Sequence, residues 1–420
     1  MPLGAGRVLK AAQEQPADVW ILGTRIVSSI YTRPVVFHKP ASSTAFVLKY
    51  DGSDVSSGES LSFLRGVRNR RDDRGVIHVH SFYEFSSGRL QNPSWQAKTF
   101  ARSDDNGESW TYPGLTSATT SVESEEYTSL SGTPVTYTSN DVQMVGGVCS
   151  PEPGVIYALA KERVGTQDTI PPVLRRYYEY DLCLLQSVDG GALERIASVA
   201  PLARFNTAYN PVTSGAAFFD IDAIYTDPDA SNTPRAIYPN QVPPAPSSLV
   251  SVEIQSSRGS LSGFTKEYSY ATISSGGASV VSGLPYGTPP SGWGAPAAVA
   301  WDGQRFYYGN LDSSNVRKLV RSESAAGPWE DVYTGGSGAF AGIAARKPGN
   351  LYVSGKGVTT DGGQNWTTVS RTLTRVGFFG SRFYGYSGTT VYTSRDGITW
   401  TAVTLPAVTG LNSLVDVFGG

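Results

Sequence analysis

Cysteine, histidine and net charge are all scarce in this 420-residue sequence. It contains two cysteines and three histidines, and its formal net charge is −2. Cys149 and Cys183 cannot build a disulfide framework, and their spacing suits no zinc site, so they form either one bridge or two buried thiols. His78 and His80 share one face of a strand, but His38 is far away in sequence. We therefore expect no metal site and no cofactor.

Long apolar runs and a basic surface are also missing. The first ten residues contain no apolar core of a signal peptide, and no run approaches the roughly 18 apolar residues of a membrane span. We therefore predict no signal peptide, no transmembrane segment and no membrane insertion, so that export would depend on lysis or on assembly into a particle. Charged residues make up only 17% of the chain, and their near balance argues against a nucleic-acid partner.

Glycine, proline and tyrosine are abundant, with 46, 26 and 23 residues respectively. This composition favours short strands separated by frequent turns, and hence an all-β chain. Residues 1–17 are polar and predict an N-terminal arm, whereas residues 18–420 predict one β domain. Within this domain we expect an irregular insertion around residues 226–291, and a surface loop at the Ser/Thr-rich run 116–131.

One short pattern recurs along the chain: a hydroxyl residue, an aspartate two positions later, a glycine, and a tryptophan that begins the next strand. These residues suit a tight hairpin turn, because Ser, Thr and Asp side chains bond backbone N–H groups, glycine adopts positive φ, and tryptophan packs. Three copies are nearly complete; residues 187–194 lack the tryptophan and residues 322–329 lack the aspartate. The residues of the five copies are Ser103, Asp105, Gly107 and Trp110; Ser187, Asp189 and Gly191; Ser322, Gly327 and Trp329; Thr359, Asp361, Gly363 and Trp366; and Ser394, Asp396, Gly397 and Trp400.

This set of turns resembles the Asp-box, or BNR, repeat of sialidases and other β-propellers. The resemblance implies a single all-β propeller of about seven four-stranded blades, with Asp-box turns between the third and fourth strands; six or eight blades would also fit. Trp329, Trp366 and Trp400 recur at intervals of 37 and 34 residues, close to the roughly 40 residues of such a blade. A propeller closes its ring, and the apolar tail 411–418 is predicted to pair with the N-terminal blade.

Individual stretches follow this scheme to different degrees. Residues 18–50 contain four strand-like runs separated by Gly or Pro, which predict a complete first blade. The region from residue 216 to 291 fits least well. It predicts one blade that carries the insertion, although two degraded blades also fit.

The sialidase resemblance makes a glycosidase the first activity to consider. In that family three arginines hold the substrate carboxylate, a Tyr/Glu pair supplies the nucleophile and its base, and an Asp acts as the acid. The early Arg-Ile-Pro signature is missing here, because Arg25-Ile26-Val27 lacks the proline, and this counts against a sialidase. Tyr178 and Glu179 are adjacent and are candidates for the catalytic pair, but an edge strand with a polar outer face explains the same residues.

Asp220 and Asp222 are the other catalytic candidates, because they share one face of a predicted strand. If that strand is the innermost of its blade, the two carboxylates line a central channel, where a general acid or a bound cation could act. Hydrated surface carboxylates are the alternative interpretation.

Three functional classes fit the sequence. The first is a non-catalytic structural or receptor-recognition propeller of a larger assembly, and the resemblance to bacteriophage tail, baseplate or fibre proteins places it in a virion. Its partners would be other virion proteins or copies of itself in a particle, with a cell-surface glycan as a further ligand. A sialidase-like or other exo-glycosidase and a glycan-binding propeller module are the alternatives, and turnover of a glycoside would favour the enzyme.

Overall fold

The computed structural model contains strands and turns, and no helix, in the residues that it describes. These residues are 17–28, 31–53, 61–69, 76–83, 100–110, 122–128, 134–140, 142–149, 155–168, 174–188, 191–192, 194–209, 219–220, 235–237, 247–257, 264–274, 277–282, 298–311, 316–323, 328–337 and 340–419. Within them there is no helix with the length and apolarity that a membrane crossing requires. The chain is all-β, as its composition predicts. Residues 1–16 of the predicted arm lie outside the described ranges.

The strands are short to medium in length and follow one another throughout the described residues. In chain order they are β1 (Val19–Ser28), β2 (Tyr31–Lys39), β3 (Val47–Tyr50), β4 (Leu61–Asn69), β5 (Val76–Tyr83), β6 (Phe100–Ser103), β7 (Val122–Thr128), β8 (Pro134–Asn140), β9 (Val142–Cys149), β10 (Val155–Asp168), β11 (Leu174–Val188), β12 (Glu194–Tyr209), β13 (Phe219–Asp220), β14 (Arg235–Ile237), β15 (Ser247–Ser257), β16 (Phe264–Ser274), β17 (Gly277–Ser282), β18 (Ala298–Trp301), β19 (Phe306–Leu311), β20 (Val316–Ser322), β21 (Glu330–Ser337), β22 (Ile343–Lys347), β23 (Asn350–Val353), β24 (Gly357–Thr359), β25 (Arg375–Phe379), β26 (Arg382–Ser387), β27 (Thr390–Ser394), β28 (Thr401–Val403) and β29 (Leu411–Gly419).

These strands build antiparallel sheets that succeed one another along the chain. In the described residues the sheets are the first (β29-β1-β2-β3), second (β4-β5-β6), third (β13-β12-β11-β10-β9), fourth (β14-β15-β16-β17), fifth (β18-β19-β20-β21), sixth (β22-β23-β24) and seventh (β25-β26-β27-β28), with β7 and β8 as a separate pair. Corresponding strands of neighbouring sheets lie against one another: β29 contacts β4, β4 contacts β9, β9 contacts β14, β18 contacts β22, β22 contacts β25, and β25 contacts β29. These contacts join every neighbouring pair of sheets except the fourth and fifth, and the seventh sheet lies against the first.

A uniform count of four strands per sheet is wrong, because the described sheets contain three to five strands. In the sixth sheet the chain after Trp366 makes only one bridge, between Val358 and Thr367, instead of a fourth strand. It then leaves the sheet because Val369 and Leu373 are buried in the apolar core against the seventh sheet. Burial of these two side chains, and not hydrogen bonding of a fourth strand, therefore holds this segment in place.

The first sheet joins the two ends of the described chain. The prediction that the tail pairs with the N-terminal blade is confirmed, because β29 runs antiparallel to β1 with Trp20 opposite Phe418. The prediction that Gly or Pro separates the strand-like runs of residues 18–50 is wrong at Gly23, since β1 continues through this residue. A Cβ at Gly23 would lie 2.8 Å from the Ser413 carbonyl oxygen, so this glycine admits the close approach of β29 and does not end the strand.

Other stretches differ from their predictions in informative ways. Residues 122–128 form β7, paired with β8, although the run 116–131 is predicted to be a loop. The region 216–291 contains a single four-stranded sheet, β14–β17, and the proline-rich residues 239–246 lie outside the described ranges. Cys149 is in β9 opposite Tyr157 of β10, and Cys183 is in β11 opposite Ala160 of β10. Two strand spacings and this offset along β10 place their backbones more than about 9 Å apart, beyond disulfide reach.

Apolar side chains fill the spaces between successive sheets. Three such clusters are described, between the fifth and sixth sheets, the sixth and seventh, and the seventh and first. The last contains Ile21 and Phe37 from the first sheet together with Phe379 from the seventh. Each fully buried side chain of this size contributes about 1.5–3 kcal/mol. Packing between sheets therefore fixes where their turns lie.

Candidate functional site

The recurring turn is a closed network of hydrogen bonds. In the copy at 359–366, the Thr359 hydroxyl donates to Asp361 Oδ1 at 2.8 Å and accepts from the Gly363 N–H at 2.9 Å. Asp361 Oδ1 also accepts from the Asn365 N–H at 3.0 Å, and the Trp366 indole donates to the Gly363 carbonyl at 2.9 Å. Gly363 has a φ of 101°, which side-chain-bearing residues rarely adopt. The motif thus satisfies its own polar groups.

The two other complete copies repeat this network. At 103–110 the hydroxyl-to-aspartate and glycine-to-hydroxyl bonds measure 2.8 and 2.6 Å, and the indole donates to Gly107 O at 3.2 Å. In the shorter copy at 394–400, Asp396 Oδ1 accepts from the N–H groups of both Ile398 and Thr399 at 2.8 Å. Because this copy is one residue shorter, its aspartate bonds N–H groups two and three residues later instead of four residues later, and the turn remains closed.

The aspartates of these turns are held as ionised acceptors. Hydrogen bonds from Asn365 and from the Thr359 hydroxyl hold the pKa of Asp361 well below its usual range. Burial acts in the opposite direction on Asp105 and Asp396, but hydrogen bonds to their carboxylates outweigh it and lower the pKa of both. A general acid needs a carboxyl pKa that is raised toward the working pH. These carboxylates consequently stabilise turns and are poorly suited to donate a proton.

Each complete turn places its tryptophan against the preceding sheet. Trp110 packs on Tyr50 with ring centroids 5.5 Å apart, Trp366 on Tyr333 at 6.3 Å, and Trp400 on Tyr352 at 4.9 Å. These tyrosines belong to the first, fifth and sixth sheets, whereas the turns belong to the second, sixth and seventh. The turn motif therefore joins neighbouring sheets as well as neighbouring strands.

The two degenerate copies depart from this geometry. The Ser187 hydroxyl donates to the Gly191 carbonyl at 2.6 Å, and Asp189 lies outside the described residues. Trp329 packs against Tyr308 of its own sheet at 6.1 Å, and Gly327 also lies outside the described residues. Loss of the tryptophan in one copy and of the aspartate in the other is thus accompanied by different local contacts.

Three of the predicted catalytic residues, Tyr178, Glu179 and Asp220, lie in strands of the third sheet. Tyr178 and Glu179 lie in β11, which pairs with β10 on one side and β12 on the other, so the edge-strand interpretation is wrong. Asp220 ends β13, at the edge of the third sheet farthest from β9. Asp222 lies outside the described residues. Within the described ranges no group of three His, Cys, Asp or Glu side chains is placed to hold a metal ion.

A cavity of about 370 Å³ lies where the first and seventh sheets meet. We call it the seam cavity; the lining residues that matter below are Lys39, Ser43, Thr44, Phe379, Arg382 and Tyr384. Its volume is at the lower end of the roughly 300–1,000 Å³ typical of ligand pockets. It contains two cations, hydroxyl groups and aromatic rings, and none of the described residues that line it is acidic.

The electrostatics of the seam cavity are positive. Burial lowers the pKa of the Lys39 ammonium, attraction to Asp18 partly offsets this, and repulsion from Arg382 lowers it further. The Lys39 Nζ atom lies 5.9 Å from the centroid of the Tyr384 ring. Two positive charges that face one partly dehydrated space favour an anion there.

A second depression, of about 390 Å³, lies between β3 and the turn at 103–110. Lys49 and Glu108 form an ion pair in its lining, and the other acidic residue of the lining, Asp51, pairs with Arg25. It is the less suitable of the two depressions for a charged ligand.

Spacing in the sequence gives no signal for the seam cavity, because Lys39 and Arg382 are separated by most of the chain. Lys39 ends β2 and Arg382 begins β26. The contacts of β29 with β25 and β26 bring their sheets together. Lysines and arginines occur beside many strand ends, so the sequence does not single out these two residues.

Comparisons with known proteins give remote structural likenesses. No protein-family profile matches the sequence, and no curated protein matches it significantly. The GH93 alpha-L-arabinofuranosidase of Fusarium graminearum is 12% identical, with 83% of this chain and 88% of that chain covered and a TM-score of 0.35. A PL25 ulvan lyase is 11% identical, with coverages of 93% and 77% and a TM-score of 0.32. YCF48 bound to D1 peptide is 13% identical, with coverages of 83% and 98% and a TM-score of 0.26.

These neighbours are β-propeller proteins. Because every one of these TM-scores is below 0.5, the superpositions carry no argument about this chain. The fold of this chain is therefore inferred from its strand order and its turn geometry.

Proposed function

We propose that the chain is a seven-bladed β-propeller of the Asp-box type that binds a ligand without chemically transforming it. The succession of seven sheets, with corresponding strands in contact in six of the seven neighbouring pairs, supports the ring. The complete turns lie after the third strand of the second, sixth and seventh sheets, which is the position that the Asp-box resemblance implies. Pairing of β29 with β1 supports closure through the chain ends.

The observation that carries the binding function is the composition of the seam cavity. It presents Lys39 and Arg382 together with hydroxyl groups, and no carboxylate among its described lining residues. Hydrolysis of a glycoside generally requires two carboxyl groups, about 5–10 Å apart, on either side of the scissile bond. The turn aspartates do not supply such a pair, since their oxygens accept hydrogen bonds within the turns. This chemistry suits recognition better than hydrolysis.

The test separates binding from turnover with the same protein sample. Purified chain is incubated with a fluorogenic sialoside and with a panel of other fluorogenic glycosides, and in parallel is applied to an array of glycans. We expect binding to at least one class of glycan and no release of fluorophore above the rate of a heat-denatured control. Release of fluorophore from any glycoside would overturn the proposal in favour of an exo-glycosidase.

A place in a bacteriophage particle, beside other virion proteins or further copies of the chain, remains a prediction from the sequence. Co-purification of the chain with intact particles, measured by mass spectrometry of gradient-purified virions, tests it. Recovery of the chain only as a free protein would contradict it.

A further inference from the structure

Three exposed cations lie together where the sixth and seventh sheets meet. Arg346 and Lys347 end β22, and Arg395 directly follows β27; all three are exposed. The Arg346 guanidinium donates to the Arg395 carbonyl oxygen at 3.4 Å, which joins the two sheets at this point. Ile398, in the same turn as Arg395, adds an apolar side chain that is 46% exposed. We call these four residues the basic patch.

The carboxylates nearest to the basic patch belong to the turns themselves. Asp361 and Asp396, the turn aspartates of the sixth and seventh sheets, accept hydrogen bonds from residues of their own turns. Within the part of the chain that the structure describes, neither Arg346 nor Lys347 forms an ion pair. Three cations thus stand against two engaged aspartates, and this surplus of positive charge favours an acidic surface as a partner.

Negative charge is concentrated in a different part of the chain. Residues 103–160 contain eight acidic residues and no lysine, arginine or histidine, although the net charge of the whole chain is only −2. Glu123, Glu125 and Glu126 of this segment lie in β7, and the register of β7 with β8 places them opposite uncharged residues. We call the pair of β7 and β8 the acidic hairpin. The chain is therefore almost neutral as a whole but divided into acidic and basic regions.

The acidic hairpin stands apart from the seven sheets. Among the strands that the structure describes, β7 and β8 are hydrogen-bonded only to each other, and they come between the second and third sheets in chain order. A two-stranded ribbon on its own is marginally stable in water, so contact with a further surface would stabilise it. Its seven-residue strands are roughly 20–25 Å long, enough to extend across the edges of two neighbouring sheets that pack roughly 10 Å apart.

We propose that the basic patch of one copy of this chain binds the acidic hairpin of a second copy. Both surfaces are present on every copy, and a net charge of −2 gives little overall repulsion between copies. In a ring of seven sheets, the hairpin beside the second and third sheets lies across from the patch on the sixth and seventh, so the contact forms between molecules. Because the two surfaces differ, the interface is head-to-tail and builds closed rings or fibres. The inference goes beyond the proposed function and takes from it only the ring.

The experiment measures self-association of the full chain by sedimentation velocity. We expect the unmodified chain to associate at concentrations up to about 100 μM, and expect the association to weaken at least about tenfold between about 0.05 M and about 0.5 M salt. The hairpin variant combines Glu123→Lys, Glu125→Lys and Glu126→Lys, and the patch variant combines Arg346→Glu and Lys347→Glu. Each variant alone brings like charges together and should associate at least about tenfold more weakly than the unmodified chain. An equal mixture of the two should associate again, because every contact between them pairs opposite charges.

Lys318→Glu combined with Lys356→Glu is the control for the patch variant, because it changes the net charge equally. Lys318 pairs with Asp331 in the fifth sheet, and Lys356 follows β23 at the end of the sixth sheet away from the patch. This control should associate as the unmodified chain does, and thermal unfolding should show that all variants remain folded.

An unmodified chain that stays monomeric at low salt would overturn the inference and leave the basic patch to a different partner. Association that salt does not weaken, or that persists in the patch variant, would overturn it too, as would a mixture that fails to associate. The salt series needs no variant, so the inference remains testable even if a charge reversal prevents folding. None of these measurements uses a glycan, so self-association can fail while the proposed binding function stands.

Discussion

The carboxylate of Asp18, which precedes β1, accepts a hydrogen bond from the backbone N–H of Ala41, which follows β2, at 2.9 Å. The first sheet lacks the hydroxyl–aspartate–glycine–tryptophan pattern between β2 and β3. Asp18 therefore supplies, from the residue before β1, the acceptor that the motif's own aspartate supplies in the second, sixth and seventh sheets. The same physical need, an acceptor for a turn N–H, is met by a different part of the chain.

Asp18→Ala should reduce the free energy of unfolding by about 2–4 kcal/mol, because the Ala41 N–H and the buried His38 both lose their acceptor. Urea denaturation followed by tryptophan fluorescence measures the change. Asp51→Ala is the matched control, since Asp51 bonds the Ser53 N–H at 3.0 Å in an exposed turn, and it should cost less than about 1 kcal/mol. Equal losses in the two variants would show that Asp18 has no special role in the first sheet.

Thr359→Ala should destabilise the chain by about 1–3 kcal/mol, because the buried Gly363 N–H loses its acceptor and Asp361 loses a donor. Thr359→Ser keeps the hydroxyl and should recover most of the loss. The midpoints of urea unfolding for the two variants provide the comparison. A serine variant as unstable as the alanine variant would indicate that the threonine methyl group, and not its hydroxyl, supports the turn.

Gly363→Ala should destabilise the chain more than Gly388→Ala. Both glycines have positive φ, at 101° and 60°, so alanine is strained at either position. An added Cβ would lie 2.1 Å from Val332 Cγ1 at Gly363 but would meet nothing within 4 Å at Gly388. We expect a loss of about 1 kcal/mol at Gly388 and at least about 2 kcal/mol more at Gly363, where the sixth sheet must move from the fifth. Thermal unfolding of both variants tests the difference, and equal shifts would refute the contact.

The contribution of Asp361 to stability should depend on pH. Its pKa is lower in the folded chain than its ordinary value of 3.8, because the folded chain donates hydrogen bonds to the ionised form. The folded state therefore binds this proton less readily, so the contribution is complete above about pH 4 and is lost as the pH falls below that value. Asp361→Asn lacks this contribution at every pH.

The measurement for Asp361 is the difference in urea midpoint between the unmodified chain and Asp361→Asn at a series of pH values from 6 to 3. Taking the difference cancels the titration of other carboxyl groups. We expect the advantage of the unmodified chain to shrink toward acid pH. A difference that is constant across the series would mean that the carboxylate charge does not contribute.

Removing β29 by ending the chain at Gly410 should abolish the folded monomer. Leu414, Val417 and Phe418 would be lost from the core between the first and seventh sheets, and β1 would gain an unpaired edge. Size-exclusion chromatography and circular dichroism should show aggregated or unfolded protein. Asn412→Ala changes an exposed position of the same strand and should be tolerated. A truncated chain that is monodisperse and unfolds at the original temperature would contradict this.

Local features were predictable from the sequence because their partners are close together in it. The turn from Thr359 to Trp366 makes its hydrogen bonds within eight residues, and the residue types fix which groups donate and accept. The apolar tail 411–418 was also identified as a strand, since its composition leaves few alternatives to burial. By contrast, Gly23 was predicted to end a strand, although its missing side chain admits the approach of β29.

By itself the sequence determined that this chain is all-β and that particular hydroxyl, aspartate, glycine and tryptophan residues form tight turns, since short-range hydrogen bonding and side-chain size suffice for both. The tertiary structure alone decided that Lys39 and Arg382 share a cavity and that β11 is a central strand. Those relationships depend on which sheets pack together and on the pairing of β29 with β1, and such long-range contacts arise from the combined burial of many side chains, which no short pattern encodes.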